Sequence, residues 1–384
     1  MISRKLLWAL CFSSYIFYAI TATEIGSVLP GIRSELALSE SLAGIIASLQ
    51  SLAGVLAVLG GALSDLFGKM RLVSLSLMIM GLGALLISGS PSALILGASF
   101  FIIGAGIGFF EASVNAFVSD IFSERRGMAI NLLHIGWNIG SALGPVLAAY
   151  IALSYGSWRV GYLMMSPLLL ASFAASLITG IKLGKNKLST SCVLRSIKPK
   201  QVLSILPLMM IPFLIVANQL GITTWLPSIL SDQGASLIEA SLAVGLFWGL
   251  SGLGRLLWAP FIDRIGYWKV LMIAGGFSSI LMLSASFPIS VYTRIALWSS
   301  SGLLLAPAYP TIIAWVTSIY PEIGGVLSGM VYAFATLGSF ISTIATGMLF
   351  ELFGSTYAQL IFAPLAALIA MAAYLMRGAG GRHT

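Results

Sequence analysis

Apolar stretches of about 20 residues, each closed by a short polar break, recur along the whole chain and constrain its fold more than any other feature. A helix of that length crosses the hydrocarbon core of a bilayer and satisfies its own backbone N–H and C=O groups where no water can reach them. Twelve such segments can be laid out, at roughly 6–31, 41–64, 71–90, 92–121, 127–153, 159–181, 202–230, 238–261, 268–287, 291–319, 324–350 and 355–376. Of the 384 residues 58% are hydrophobic and only 8% charged, which leaves almost no length for a domain outside the membrane. The sequence therefore predicts an all-α membrane protein with twelve transmembrane helices.

The formal charge of +8 could attract nucleic acid, but the placement of the basic residues follows topology instead. Counting breaks from the N-terminus, alternate ones hold Arg4, Lys5, Lys69, Arg71, Arg125, Arg126, Lys182, Lys185, Lys187, Arg195, Lys198, Lys200, Arg264, Lys269, Arg377 and Arg382. The opposite breaks hold Arg33, Arg159 and Arg294. The positive-inside rule then places both termini in the cytoplasm of a multi-pass protein of the cell membrane, and no nucleic-acid partner is expected. Cys11 and Cys192 both fall on the cytoplasmic side, where a structural disulfide is not expected. The first segment is long enough to span and lacks a convincing cleavage site, so it reads as a retained helix.

The longest break, Lys182 to Gln201, is basic and divides the spans six and six. It suggests an N-terminal bundle over 1–181, a cytoplasmic linker over 182–201 and a C-terminal bundle over 202–384. Shifting the second half by 198 residues brings Gly54 onto Gly252, Asp65 onto Asp263, Gly68 onto Gly266, Glu124 onto Glu322, Gly127 onto Gly325, Gly140 onto Gly338 and Gly156 onto Gly354. Six spans return the chain to its starting side, so the halves are parallel repeats related by an axis along the membrane normal.

Two breaks carry the strongest local signal: GALSDLFGKMR at 61–71 and APFIDRIGYWK at 259–269. Each puts an Asp at a helix end, a Gly three residues later and a base six residues after the Asp. These resemble the signature loop of the major facilitator superfamily, in both of its expected places. With twelve spans, a central loop and the ERRG break after the fourth helix, the chain is identified as a member of that superfamily, whose fold is two six-helix bundles. FFEASVN and NLLHIGWNIGSALGP, with FWGLSGLGR at 247–255 and APAYPT at 306–311, are similar to the fucose/galactose:proton symporter group and its related sodium-glucose branch. His134 stands about where fucose members carry Gln, and Trp137 about where they carry Asn. Glu24 falls roughly two residues before the Asp expected there.

An ionisable group inside an apolar span costs about 3 kcal/mol on insertion scales, which makes such a residue a functional candidate by default. Glu111 and Glu24 are the acids furthest from any break. A carboxyl that is dry in one state and wet in another can bind and release a proton, so Glu111, Glu24 and the intramembrane His134 are the proton-coupling candidates. The alternative for each acid is a polar neighbour that holds it for helix packing alone. Asn115 shares a helix face with Glu111, and Asn138 and Ser141 share one with His134. Such amides and hydroxyls can hydrogen-bond a polyol while a ring stacks on its apolar side. The repeat puts Tyr309 at the position of Glu111, Tyr332 at that of His134 and Thr336 at that of Asn138. Gln50, Asn218, Gln219, Thr223, Trp225 and Trp248 complete the substrate-binding candidates.

His134 has no second His or Cys near it in sequence, so no metal or other cofactor is expected; the coupling ion is H+ or Na+. GAGIG at 104–108 has no strand before it and reads as close helix packing rather than a phosphate loop. Arg255 lies eight residues before Asp263; it either snorkels to the cytoplasmic surface or faces a cavity, where it would favour an anionic substrate. Asp65, Lys69, Arg71, Glu124, Arg125, Arg126, Asp263, Arg264 and Glu322 form a candidate cytoplasmic gate of charges that pair in one state and part in another. The first reading is a proton-coupled symporter of a sugar or similar small polar solute, working as a monomer by alternating access. A proton-driven exporter of drugs or lipids and sodium-coupled sugar uptake are the alternatives. An enzyme is not expected, because no nucleophile, metal cluster or phosphate motif accompanies the histidine.

Overall fold

Helix propensity, apolar length and the need to close every backbone hydrogen bond in lipid leave one solution, and a computed structural model has it throughout. Residues 3–122, 124, 126–183, 203–320 and 324–378 are described. The first half contains α1 (Arg4–Leu36), α2 (Glu40–Gly54), α3 (Ala57–Phe67), α4 (Lys69–Ser88), α5 (Ala93–Ile121), α6 (Arg126–Tyr155) and α7 (Arg159–Leu183). The second contains α8 (Met210–Asp232), α9 (Leu237–Ile265), α10 (Tyr267–Ala285), α11 (Val291–Leu305), α12 (Ala308–Ile319), α13 (Gly324–Phe353), α14 (Ser355–Ala358) and α15 (Phe362–Leu375). Twelve helical stretches among the described residues are long and apolar enough to cross a membrane, as expected. Most of the basic connection at 182–201, with Cys192, lies outside the described residues.

Two of the expected spans are broken. The second is interrupted between Gly54 and Ala57, where Val55, Leu56, Val58 and Leu59 donate three residues back rather than four and tighten the turn. Here Gly108 of α5 comes so close that a Cβ would lie 3.0 Å from the Gly54 carbonyl oxygen. The tenth span divides into α11 and α12 at Ala306–Pro307, because Pro307 lacks an N–H and its ring opposes the carbonyl of the preceding turn.

The chain forms two compact units, one of Met1–Leu38 and Leu49–Thr190, the other of Ser39–Ser48 and Ser191–Thr384. Within the first, α1 lies along α6, and α4 lies along both α7 and α5. Within the second, α8 lies along α13, and α10 lies along both α15 and α11, so the pairing repeats.

The glycines explain why. A Cβ at Gly140 would lie 2.4 Å from the Ile16 carbonyl oxygen, and one at Gly338 would lie 2.0 Å from that of Phe213. At Gly104 and Gly302, also 198 apart in the sequence, a Cβ would likewise lie 2.1 and 2.2 Å from the carbonyl oxygens of Gln50 and Phe247. Small residues let helix backbones meet where no hydrophobic force separates protein from lipid, and here they meet twice in one geometry. The two signature turns agree as well: Gly68 and Gly266 both have φ of 92°, a left-handed value that costs an L-residue about 1–2 kcal/mol.

Inside the spans, hydroxyls close onto their own helix. Ser74 donates to the Met70 carbonyl at 2.9 Å and Ser76 to that of Leu72 at 2.6 Å, which removes the cost of burying them.

Candidate functional site

In the first unit, α5 runs unbroken through Glu111, so the acid sits well inside the span with 9% of its surface exposed. Side chains of α1 and α5 donate to its carboxyl group. Tyr15 of α1 donates to Oε1 at 2.5 Å, Tyr18 one turn later donates to the same oxygen at 2.9 Å, and Asn115 donates from Nδ2 to Oε2 at 3.1 Å. Asn115 also reaches the Glu111 carbonyl at 2.9 Å, so its amide is fixed by the residue one turn before it. A carboxylate accepts through both oxygens and has no proton to give, and this donor set matches it.

His134 enters from α6. Its Nδ1 lies 3.2 Å from the Tyr15 hydroxyl, which therefore stands between the imidazole and the carboxyl. Tyr15, Tyr18, Phe110, His134 and Trp137 form a cluster of tilted and edge-on aromatic contacts centred on the two tyrosines, with centroids 5.1–5.6 Å apart. Such contacts fix ring orientation as well as burying area. Asn138 is buried one turn beyond His134. Gln50 donates from Nε2 to the Ala22 carbonyl at 3.1 Å.

Glu24 goes elsewhere. It lies nine residues after Tyr15, about two and a half turns, and so projects from the opposite side of α1. Only 2% of it is exposed, and its Oε2, with no hydrogen-bond partner among the described residues, rests 3.1 Å from where a Cβ at Gly161 of α7 would stand. The two acids paired by the sequence reading thus occupy separate surroundings.

In the second unit the candidates are mostly tied to backbone. Trp225 is fully buried and donates to the Thr343 carbonyl at 2.9 Å; it packs edge-on to Phe350. Asn218 donates to the Phe362 carbonyl at 2.7 Å, Thr223 to Gln219 at 2.8 Å and Thr336 to Ala333 at 3.0 Å. Gln219 donates to the Leu305 carbonyl at 3.4 Å, at the end of α11 just before the break at Ala306–Pro307. Trp248 is buried edge-on to Phe247, whereas Tyr309 and Tyr332 are half-buried. Arg255, also half-buried, continues the α9 face of Trp248 and Ser251, while Leu253, Leu256 and Leu257 are exposed.

Of the candidate gate, Arg71, Glu124 and Arg264 are exposed. Arg125 and Glu322 lie outside the described residues, as do the side chains of Asp65, Arg126 and Asp263. Lys69 pairs at 2.5 Å with Asp120, a residue not singled out from sequence. Tyr15 and Tyr18 were missed likewise, although their spacing of three puts both on one helix face.

Comparison with known proteins agrees with this architecture. The Major Facilitator Superfamily signature matches residues 7–298 and 208–383, and the chain belongs to that family of membrane transporters. The fosmidomycin resistance protein of Escherichia coli (strain K12) is 26% identical over 67% of this chain, a match that spans 64% of its own length. The putative niacin/nicotinamide transporter NiaP of Bacillus subtilis (strain 168) is 24% identical over 100% of this chain and 98% of its own. In fold, a bacterial homologue of the human lysosomal transporter Spinster superimposes with a TM-score of 0.82, covering 99% of this chain and 98% of that one at 12% identity.

Proposed function

We propose that the chain is a proton-coupled symporter of a small polar organic solute, and that Glu111 takes up and releases the coupled proton. The observation that carries this reading is the position of Glu111, which is buried in mid-span and held by two phenols and one amide. These groups donate to its carboxyl oxygens, and each can be withdrawn by a small rotation when a proton arrives. Amides and hydroxyls among the substrate-binding candidates suit a sugar or polyol. The relatives named for niacin and for fosmidomycin resistance extend the class to small organic acids and amides. Residence in the cell membrane with both termini in the cytoplasm, and function as a monomer, belong to this reading.

One observation favours an organic anion over a neutral sugar: Arg255 shares the α9 face of Trp248 and Ser251, away from the exposed leucines. A guanidinium held there would pair with a carboxylate. The relative named for resistance keeps export as the competing direction.

A thermal-shift screen of sugars, polyols, nicotinate, nicotinamide, hydroxybenzoates and lipophilic cations on purified protein separates these classes. A ligand at about 100 times its dissociation constant adds roughly 2.7 kcal/mol of stability. Stabilisation by a polar solute, followed by its accumulation in vesicles with an inward proton gradient, is the expected result. In Glu111→Gln, accumulation is lost while exchange across the membrane persists; undiminished accumulation removes Glu111 from the mechanism.

A further inference from the structure

We propose that Tyr15 relays the proton between His134 and Glu111, and that the direction of this hydrogen-bond chain reverses each time Glu111 is protonated. The inference rests on the reading of Glu111 as the coupling residue and adds its route of access.

A phenol has one proton to donate. Tyr15 lies 2.5 Å from Glu111 Oε1 and 3.2 Å from His134 Nδ1, so its proton points to the carboxylate. The imidazole must then donate, which makes the neutral ring the Nδ1–H tautomer, with no proton on Nε2. The chain reads His134 to Tyr15 to Glu111. His134, half-buried, is the most exposed of the three; Tyr15 is fully buried and Glu111 nearly so. The outermost member is the one whose ordinary titration range is physiological.

A proton that adds to His134 Nε2 makes the ring cationic. The Nδ1 proton then passes to the Tyr15 oxygen as the phenolic proton leaves for Glu111 Oε1. One proton has entered and one has reached the carboxyl group; Tyr15 remains a neutral phenol and His134 a neutral ring. The ring is now the Nε2–H tautomer, Tyr15 donates to its bare Nδ1, and the Glu111 acid donates to Tyr15. Tyr18 donates to the same carboxyl oxygen but not to the ring, so it stabilises the end of the chain without bridging it. The titratable groups that face one another here are Tyr15 and Tyr18 from α1, Glu111 from α5 and His134 from α6.

The sequence holds two histidines, and replacing the tail residue His383 with Asn leaves His134 as the only imidazole. Nitrogen NMR of histidine-labelled protein in that background reads its tautomer directly, with no substrate present. At alkaline pH the Nδ1–H form is expected. Glu111→Gln, whose amide donates as a protonated carboxyl would, is expected to switch the ring to Nε2–H. In Tyr15→Phe, the tautomer no longer depends on whether residue 111 is Glu or Gln. An Nε2–H ring at alkaline pH in the otherwise unaltered chain overturns the proposal, even if Tyr15→Phe does not fold. A switch of equal size with Phe at position 15 overturns it as well. If Glu111→Gln left accumulation intact, the coupling role would fail by itself, because the tautomer measurement involves no transport.

Discussion

Position 111 in the first half and position 309 in the second stand 198 residues apart, and the chain treats them in opposite ways. Around Glu111 the helix is continuous, and side chains from α1 and α5 converge on one carboxyl group, with His134 of α6 reaching it through Tyr15. Around Tyr309 the helix is broken at Ala306–Pro307, and Gln219 donates to the Leu305 carbonyl at the end of α11. Two helix-to-helix glycine contacts, those of Gly104 and Gly140, recur at Gly302 and Gly338, and the signature-turn glycines share one φ. Duplication therefore explains the framework, while the carboxyl group held by phenols and an amide is found at the first of these two positions.

If the framework is shared, matched glycine substitutions should cost the same in both halves. Gly104→Ala and Gly302→Ala each force a Cβ into a carbonyl oxygen at little more than 2 Å, and each should lose about 3 kcal/mol in chemical denaturation. A large cost in one half alone would break the comparison. The next effect is specific to the second half. Gln219→Leu removes the buried amide's bond to the Leu305 carbonyl and should cost about 1.5 kcal/mol, read as a lower melting temperature. At the signature turns the parity should return: Gly68→Ala and Gly266→Ala each cost about 1 kcal/mol, because both positions share a left-handed φ. The smallest effect is at Lys69, whose pair with Asp120 is partly exposed; Lys69→Met should cost no more than about 1 kcal/mol, and less as salt is added.

Much of this framework is legible in the sequence, because apolar length and recurring glycines encode it directly. The offset of 198 finds Gly140 with Gly338 and Gly68 with Gly266, and both pairs perform equivalent tasks. Pro307 marks the break in the tenth span, but nothing at Val55 and Leu56 marks the one in the second, where Gly108 of another helix presses on the backbone. Glu111 and Asn115 are legible as a pair through helical spacing. Tyr15 and Tyr18 are not, since tyrosines in an apolar span are ordinary and their partner lies 96 and 93 residues away. Depth alone groups Glu24 with Glu111. The angle around α1 separates them, and Glu24→Gln should accordingly reduce proton-driven accumulation less than Glu111→Gln does.

The most direct test of the asymmetry is proton-driven uptake by two variants at repeat-related positions, measured in vesicles with the compound that stabilises the purified protein. In Glu111→Gln, accumulation should fall by about 100-fold while exchange without a gradient continues; in Tyr309→Phe, accumulation per proton gradient should stay that of the unaltered chain. Loss of proton drive in Tyr309→Phe, with Glu111→Gln still concentrating the solute, would contradict the account.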